Sequence, residues 1–418
     1  MASHTTTSVA DILKELYPSE DLPKVMYEVA PTLALMPKWE KFGGNTFRET
    51  LVYRYNQGRS ATFATAQTNA TSAAVVGFDV SRASNYAIAT IDSELIEATQ
   101  GDKDALIDGV ELAMDGSLLE LSKSYGIQLF RTTTGSRGAI SSGSDVGTAT
   151  ITLATIEDVT NFEVGMVVAA KAADTAGAVR VGTNTITAID RDAGTLTTTT
   201  SWATGIAAVA AGDSLYVAGD KDFCLAGITS WVPVLAPDST AFFGIDRSVD
   251  TRLQGHRLVG TTFGLEEALL KIQSLVCREG GTPDLIVVNN KDYNNLDIGM
   301  GSKVEYNRDG KRPAMGGGGR VDDIGFDTLR LMGDKGPIDI VADPFAPKGH
   351  AFCLTTKSWK FRTLGACPRV LGKDEYGGDG LSMLRQATVD GNEIRLVGRG
   401  NLSCNAPGFN GRISLQAL

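Results

Sequence analysis

Two long strand-like runs, residues 46–59 and 79–97, flank a tongue at residues 61–78 that is rich in Thr, Ala and Ser and carries no charge. The pattern predicts an extended two-stranded arm with an uncharged tip. Two strands alone are marginally stable in water. Such an arm needs a surface to lie on, and a neighbouring subunit can supply it. The stem is charged: Arg48, Arg54, Arg59 and Arg82 lie among Glu49, Asp79, Asp92 and Glu94. A solvated surface explains those charges, and so does pairing of the arginines with carboxylates of a neighbour, where Lys would not substitute.

The best helix pattern covers residues 101–130. Leu106, Val110, Ala113, Leu121 and Tyr125 recur at helical spacing, which predicts one buried face. Asp102 and Asp104 sit where the helix dipole favours acids. Its length would be roughly 40 Å. A second helix is predicted over 264–280, with Leu265, Leu269, Ile272 and Val276 inward, acids at the start, Arg278 near the end and Gly280-Gly281 as the stop. A buried strand at 283–290 and a short helix at 291–296 follow. Further strands are expected at 338–342, 351–356, 359–363 and 393–397, with a final edge strand within 408–418.

The first 44 residues read differently. Ser8 caps a short helix with Ile12, Leu13 and Leu16 on one face. Pro18, Pro23, Pro31 and Pro37 then break the chain, and Gly43-Gly44 closes the segment. Leu22, Val25, Met26, Leu33, Leu35, Met36 and Trp39 give this arm apolar groups that must dock elsewhere.

Residues 141–218 change character again. They hold 15 Thr, three basic residues and eight acids. Polar and apolar residues alternate over 148–153, and residues 190–194 read as a hairpin turn. A small β-barrel or sandwich, inserted into the main fold and exposed, fits this composition.

At 418 residues the chain suggests two or three domains. A net charge of −10 argues against specific nucleic-acid recognition, which needs a basic face, but not against enclosing nucleic acid. The five cysteines, Cys224, Cys277, Cys353, Cys367 and Cys404, are scattered without a CxxC, so a disulfide framework is not expected. Neither a signal-peptide pattern nor a bilayer-length apolar run occurs, which fits synthesis in a cytoplasm.

Catalytic patterns are missing. The only histidines are His4, His256 and His350, too few for a three-His metal site with His4 in a terminal tail. Neither a phosphate loop nor a G-x-S-x-G elbow is present. Glycine-rich residues 299–320, including Gly316–Gly319, read as a loop rather than a phosphate cradle. Cys277 falls beside a helix's apolar face, as a structural thiol would. Asn69-Ala-Thr71 and Asn401-Leu-Ser403 are chance matches to a glycosylation pattern. No catalytic, cofactor-binding or metal residue is assigned and no enzymatic activity is expected, although a convergent pair of carboxylates stays open.

The order of these parts resembles the major capsid proteins of tailed bacteriophages, which have the Hong Kong 97 fold. The carriers are Leu35-Met-Pro-Lys-Trp39 to Gly44 leading into strand, the helix at 101–130, the helix–strand–helix of 264–290 with Asp292-Tyr293, and Ile338-Asp-Ile-Val-Ala-Asp343-Pro344 followed by Lys348-Gly-His-Ala-Phe352. None is a strict motif; order and spacing carry the resemblance. It implies an α+β Hong Kong 97-type fold with an inserted small all-β domain. The expected parts are an N-terminal arm (1–44), an extended loop (45–98), a peripheral domain with a spine helix (99–136), the insertion (141–218), a return to the peripheral domain (219–263), an axial domain (264–385) and C-terminal strands (386–418).

The implied function is a coat protein that self-assembles into pentamers and hexamers of an icosahedral head around double-stranded DNA, in the virion, after assembly in the bacterial cytoplasm. The resemblance makes Trp39, Arg48, Arg54, Arg59, Phe63 and Arg82 the candidate inter-subunit residues, and residues 299–320 candidates for the ring centre. Some family members weld neighbours through a loop lysine. Here no lysine occurs between Lys41 and Lys103, so a noncovalent shell is expected. With the arm starting near Met1, the resemblance implies either a separate scaffolding protein or a chain that is already processed; a portal is a further expected partner, and a cement or decoration protein is an optional one. No membrane partner is expected. The rival readings are another phage component, such as a tail-tube or decoration protein, and a β-rich carbohydrate-active enzyme; scarce histidine and aromatics weigh against the enzyme.

Overall fold

The computed structural model describes residues 30–92, 103–172, 174, 178–237, 239–260, 264–300, 329–371, 384–385 and 390–415. Readings on the Ser8 helix and on most of the 299–320 loop lie outside these residues. The described chain holds three six-stranded sheets and one two-stranded hairpin.

The first sheet contains β1 (Lys38–Trp39), β4 (Ala83–Asp92), β16 (Trp359–Thr363), β17 (Arg369–Val370), β18 (Leu384–Arg385) and the 14-residue β19 (Gly391–Cys404). β19 is the hub. It pairs antiparallel with β4 from Gly391↔Asp92 to Gly400↔Ala83, and with β16 from Trp359↔Cys404 to Thr363↔Gly400. Inward residues of β4 alternate as the pleat requires: Ala87, Ala89 and Ile91 are buried, whereas Tyr86 and Ile88 are exposed.

The long helix Lys103–Phe130 packs on β4 and β19. Leu118, Leu121, Tyr125 and Leu129 share a core with Leu396 and Phe361. The sequence predicts one buried face, but from Leu121 to Phe130 every residue except Lys123 is buried. The sheet covers one side. Phe345 and the short helix Ile228–Trp231 close on others, and a Cβ on Gly126 would strike the Phe345 ring at 2.5 Å. Tertiary packing, not helical periodicity, decides the burial of this end.

The second sheet, in the order β5 (Gly138–Ala139), β10 (Ser214–Val217), β7 (Val167–Lys171), β8 (Asn184–Asp190), β9 (Thr195–Thr198), β6 (Thr150–Thr152), belongs to one continuous chain segment. It encloses its own core of Ile151, Phe162, Val168, Ile186, Leu196, Trp202 and Leu215. Its entering and leaving strands pair, Leu215 with Gly138, so the module connects to the body through one narrow neck. Asp190 Oδ1 accepts the N–H groups of Asp192 and Ala193 at 3.0 Å each, and Gly194 (φ 67°) completes the β8–β9 turn.

The third sheet runs β11 (His256–Gly260), β20 (Gly411–Leu415), β15 (His350–Leu354), β12 (Leu285–Val288), β14 (Gly336–Ala342), β13 (Leu329–Gly333). The amphipathic helix Leu265–Arg278 buries Ala268, Leu269, Ile272 and Val276 against it. β20 is not the edge strand its position in the chain suggests. It lies between β11, which it meets in parallel, and β15. Chain order and sheet membership also diverge: residues 359–370 lie in the first sheet and residues 256–260 in the third. All five cysteines are free thiols.

The hairpin consists of β2 (Thr46–Arg54) and β3 (Ala74–Ser81). The 79–97 run, whose last residues 93–97 lie outside the described residues, is therefore not one strand of the arm in its described part. It switches partner near Arg82: β3 stays with the hairpin, and β4 joins the first sheet. A continuous strand-like pattern does not mark where a chain changes sheets.

Candidate assembly surface

The hairpin is anchored at one end and bare at the other. Pairing runs from Thr46↔Ser81 to Val52↔Val75, then slips by one residue before Arg54↔Ala74. At the base, Phe78 and Val80 are fully buried. Phe78 meets Trp231 edge-on with ring centroids 5.2 Å apart, and Trp231 packs in turn on Phe242 at 5.2 Å and Phe243 at 5.8 Å. The Arg247 guanidinium lies 4.0 Å over the Phe242 ring and donates to the carbonyls of Ser230 and Trp231 at 2.7 and 3.2 Å. Burial pulls its pKa down to about 10. Asp79 N donates to the carbonyl of Phe243 at 3.1 Å, which holds Phe243 at φ 48°, a left-handed conformation that is costly for a bulky side chain.

A second anchor is a buried ion pair. Arg362 Nη2 of β16 donates to Glu49 Oε2 of β2 at 2.7 Å, and its Nε donates to Ser403 Oγ at 2.9 Å. The same guanidinium stacks 3.7 Å over Phe47 and 5.7 Å from Trp39. One side chain thus ties the arm, the hairpin and the first sheet together. Arg362, Trp231, Phe242 and Arg247 were not legible as partners in the sequence, because all four lie far along the chain from the loop they hold.

Toward the tip the supporting contacts end. Gln57 and Thr71 exchange backbone hydrogen bonds at 3.2 and 2.8 Å, and a short helix, Phe63–Thr68, buries nothing. Gly58 (φ 150°) lets the strand pass close to this turn: a Cβ there would come within 3.1 Å of Ala70 Cα. Tyr55, Phe63 and Val75 are exposed, Phe63 at 83%. These open aromatics make the projecting tip the candidate contact surface.

The candidate residues fall into two groups. Arg48 faces Asp79 across the hairpin and donates to both carboxylate oxygens, at 3.0 and 3.3 Å. Arg82 donates to the Phe42 carbonyl at 3.4 Å and lies 5.6 Å from the centre of the Phe42 ring. Trp39 is 48% exposed, beside Arg362. These three have roles within their own chain. Arg54, Arg59 and Phe63 are exposed near the tip and, among the described residues, make no hydrogen bond or ion pair through their side chains.

Beside the hairpin base lies a groove of about 680 Å³, lined by Arg82, Tyr86, Glu120, Arg137, Asp220 and Phe223 among others. Burial raises the pKa of Asp220 and pushes the Cys224 thiol up to about 12, which leaves that thiol unreactive. Among the described residues, no three His, Cys, Asp or Glu side chains gather as a metal site. His256 and His350 are buried or half-buried. Desolvation lowers both pKa values, that of His350 to about 4 with help from Arg412 and Arg131. Asn401, part of a glycosylation-like triplet, is buried and donates to the Ser81 carbonyl at 2.7 Å.

Residues 221–389 match the family of the SU10 major capsid protein. The capsid protein in the asymmetric unit of cyanophage A-1(L) superimposes with a TM-score of 0.56 at 11% identity, covering 93% of each chain. A capsid chain of the native GTA particle gives a TM-score of 0.45 at 9% identity over 93% of this chain and 91% of that one. A chain from Mycobacterium phage Bobi gives 0.39 at 9% identity over 93% and 91%. Among proteins of curated function, none matches this sequence.

Proposed function

We infer that this chain, a major capsid protein of tailed phages by its family match and its Hong Kong 97-type fold, builds a closed shell from repeated copies of itself. The observation that carries the mechanism is the hairpin, rooted by Glu49–Arg362 and the Trp231 cluster and bare at Tyr55, Phe63 and Val75. A two-stranded arm with exposed aromatics is stable in water only when something covers it. In a shell, the next copy does so.

The contact residues we propose are Phe63, Arg54 and Arg59, with Trp39 at the root. Arg48 and Arg82 shape the loop instead. Rings of five and six copies fit a closed head, with strong anchoring inside each subunit and modest contacts between them. No lysine lies in the loop for a covalent weld, so the contacts we propose are noncovalent. A net charge of −10 suits a container that must not trap its nucleic acid, because basic surfaces bind DNA through its phosphates. A scaffolding protein, a portal and a cement protein are the further partners of this reading. Assembly in the host cytoplasm without catalysis completes it.

The test is electron microscopy of the purified protein, alone and co-expressed with neighbouring genes, for the wild type, Arg54→Glu and Phe63→Ser. Shells or rings from the wild type, with fewer or heat-sensitive ones from folded variants, support the reading. Small uniform particles from the wild type under every condition would overturn it. Variant shells that survive heating like the wild type would remove the tip from the mechanism.

A further inference from the structure

We propose that the inserted β-module is held at a fixed angle by one-sided charge pairing across its docking face, and that it swings about its neck when those pairs are lost. The inference concerns the single subunit and stands whether or not the shell contacts above are right.

Among the described residues, the module shares no apolar core with the body. Its buried cluster contains only residues between Ile140 and Leu215. What fixes its orientation must therefore be found at its surface. One strip faces the body, the turn of 3₁₀ helix Ile156–Asn161 with Glu163 just after it. Glu157 Oε1 lies 3.0 Å from Lys291 Nζ and 3.0 Å from Lys348 Nζ. Asp158 Oδ1 accepts from Arg131 Nη2 at 2.6 Å. Glu163 Oε1 accepts from Lys123 Nζ at 2.8 Å.

These carboxylates belong to the module and these cations to the body; Glu163 Oε2 also pairs inside the module, with Arg191 Nη2 at 3.1 Å. The cations come from separate places: the last third of the long helix, the residue after its end, the helix Asn290–Met300 and the segment before β15. Contacts spread this way resist rotation as a single pair could not. Arg131 and Asp158 have side chains only 18% and 14% exposed, so water screens them less than an open surface pair.

The neck is built differently. Arg137 is buried and donates to the Asn161 carbonyl at 3.0 Å and to Ser124 Oγ at 3.3 Å, while Asn161 returns a hydrogen bond to the Arg137 carbonyl at 2.9 Å. The hydroxyls of Thr132 and Thr134 donate to Asp174 at 3.2 and 2.6 Å. These short-range bonds hold the pivot and leave the angle to the charged strip.

Salt separates the two kinds of contact. The Debye length shrinks from about 10 Å at 0.1 M to about 3 Å at 1 M. Hydrogen–deuterium exchange of the purified full chain should therefore show residues 131–137 and 218–227 exchanging several-fold faster in 1 M sodium chloride than in 0.05 M. The amides of β8 and β9 inside the module should keep their protection. Glu157→Lys should raise exchange in the same connections about tenfold at low salt. The swap Glu157→Lys with Lys291→Glu and Lys348→Glu should return it toward the wild-type rate. Connections that ignore salt in the wild type would overturn the proposal without any variant having to fold. A charge swap that stays as exposed as Glu157→Lys alone would do the same.

Discussion

Replacing Arg362 with Met tests how the hairpin is rooted. Arg362 and Glu49 are both buried, with oxygen and nitrogen 2.7 Å apart. At that distance, and at an effective dielectric near 20, the gross attraction is about 6 kcal/mol. Much of it offsets the desolvation of two ions, so the pair adds far less than this to net stability. Removing one partner is another matter. Met retains most of the packing stem on Phe47, but the Glu49 carboxylate is then buried without its cation. Ser403 also loses its donor. Arg362→Met should therefore destabilise the unassembled subunit by about 3–5 kcal/mol. Glu49→Leu combined with Arg362→Met removes both charges and should recover the stability to within about 1–2 kcal/mol of the wild type. Chemical denaturation of the subunit gives these numbers. Hydrogen exchange of β2 and β3 should show the hairpin base opening before the first sheet does. A loss under about 1 kcal/mol for Arg362→Met, or a double variant no better than the single one, would refute the view that a desolvated charge pair roots the loop.

Trp231→Ala should cost about 3–5 kcal/mol, because it empties the cluster beneath Phe78 and strips partners from Phe242 and Phe243; thermal melting with unchanged stability would place the anchor elsewhere. Gly398→Ala should cost about 1–3 kcal/mol by overpacking, since its Cβ would collide with the Tyr125 hydroxyl and lie 2.9 Å from Cys367 Sγ, and a denaturation midpoint equal to wild type would argue against so tight a contact. His350 has a folded pKa of about 4 against an ordinary value of 6.5. The unfolded chain therefore takes up this proton first as pH drops, and stability should decline from about pH 6.5 to 4 and level off below, by up to about 3 kcal/mol. His256 is shifted in the same direction and leaves part of the slope in place. Hence the reading is the difference between wild type and His350→Phe across that window, and parallel curves would show that His350 is not held neutral by the fold. Phe63→Ser should change subunit stability by less than about 0.5 kcal/mol, since the ring touches solvent rather than core; a larger loss in the monomer would show that the tip serves its own chain.

Legibility in the sequence followed how local each signal was. The helix Leu265–Arg278 could be read almost to the residue, because its apolar face, its two leading acids and the glycines just past its end are all local signals. The β8–β9 turn was equally plain, since Asp190 caps its own backbone. The long helix was legible in extent but not in burial, which depends on Phe345 and the short helix Ile228–Trp231 arriving from elsewhere. At the switch from β3 to β4 the inward positions change parity, from Phe78 and Val80 to Ala87, Ala89 and Ile91, but apolar Tyr86 and Ile88 on the outer face of β4 hide that shift in the sequence. β20 looked like an edge by position in the chain, yet parallel pairing with β11 places it inside its sheet. For the assembly surface, the bare tip could be anticipated from its uncharged sequence. Its root could not, because Glu49 meets Arg362 across 313 residues and no local pattern foreshadows that partner.

The junction at Arg82 has a mechanical consequence. The loop strand β3 ends at Ser81, and two residues later β4 begins its ten-residue pairing with β19. A pull on the hairpin along its axis is handed directly to β4, whose ladder with β19 then bears the load across many bonds together instead of peeling them one by one. Tension generated where one copy grips the next would thus be taken up by the most extensively paired strands among the described residues. The soft element reaches outward, and the stiffest one receives the strain.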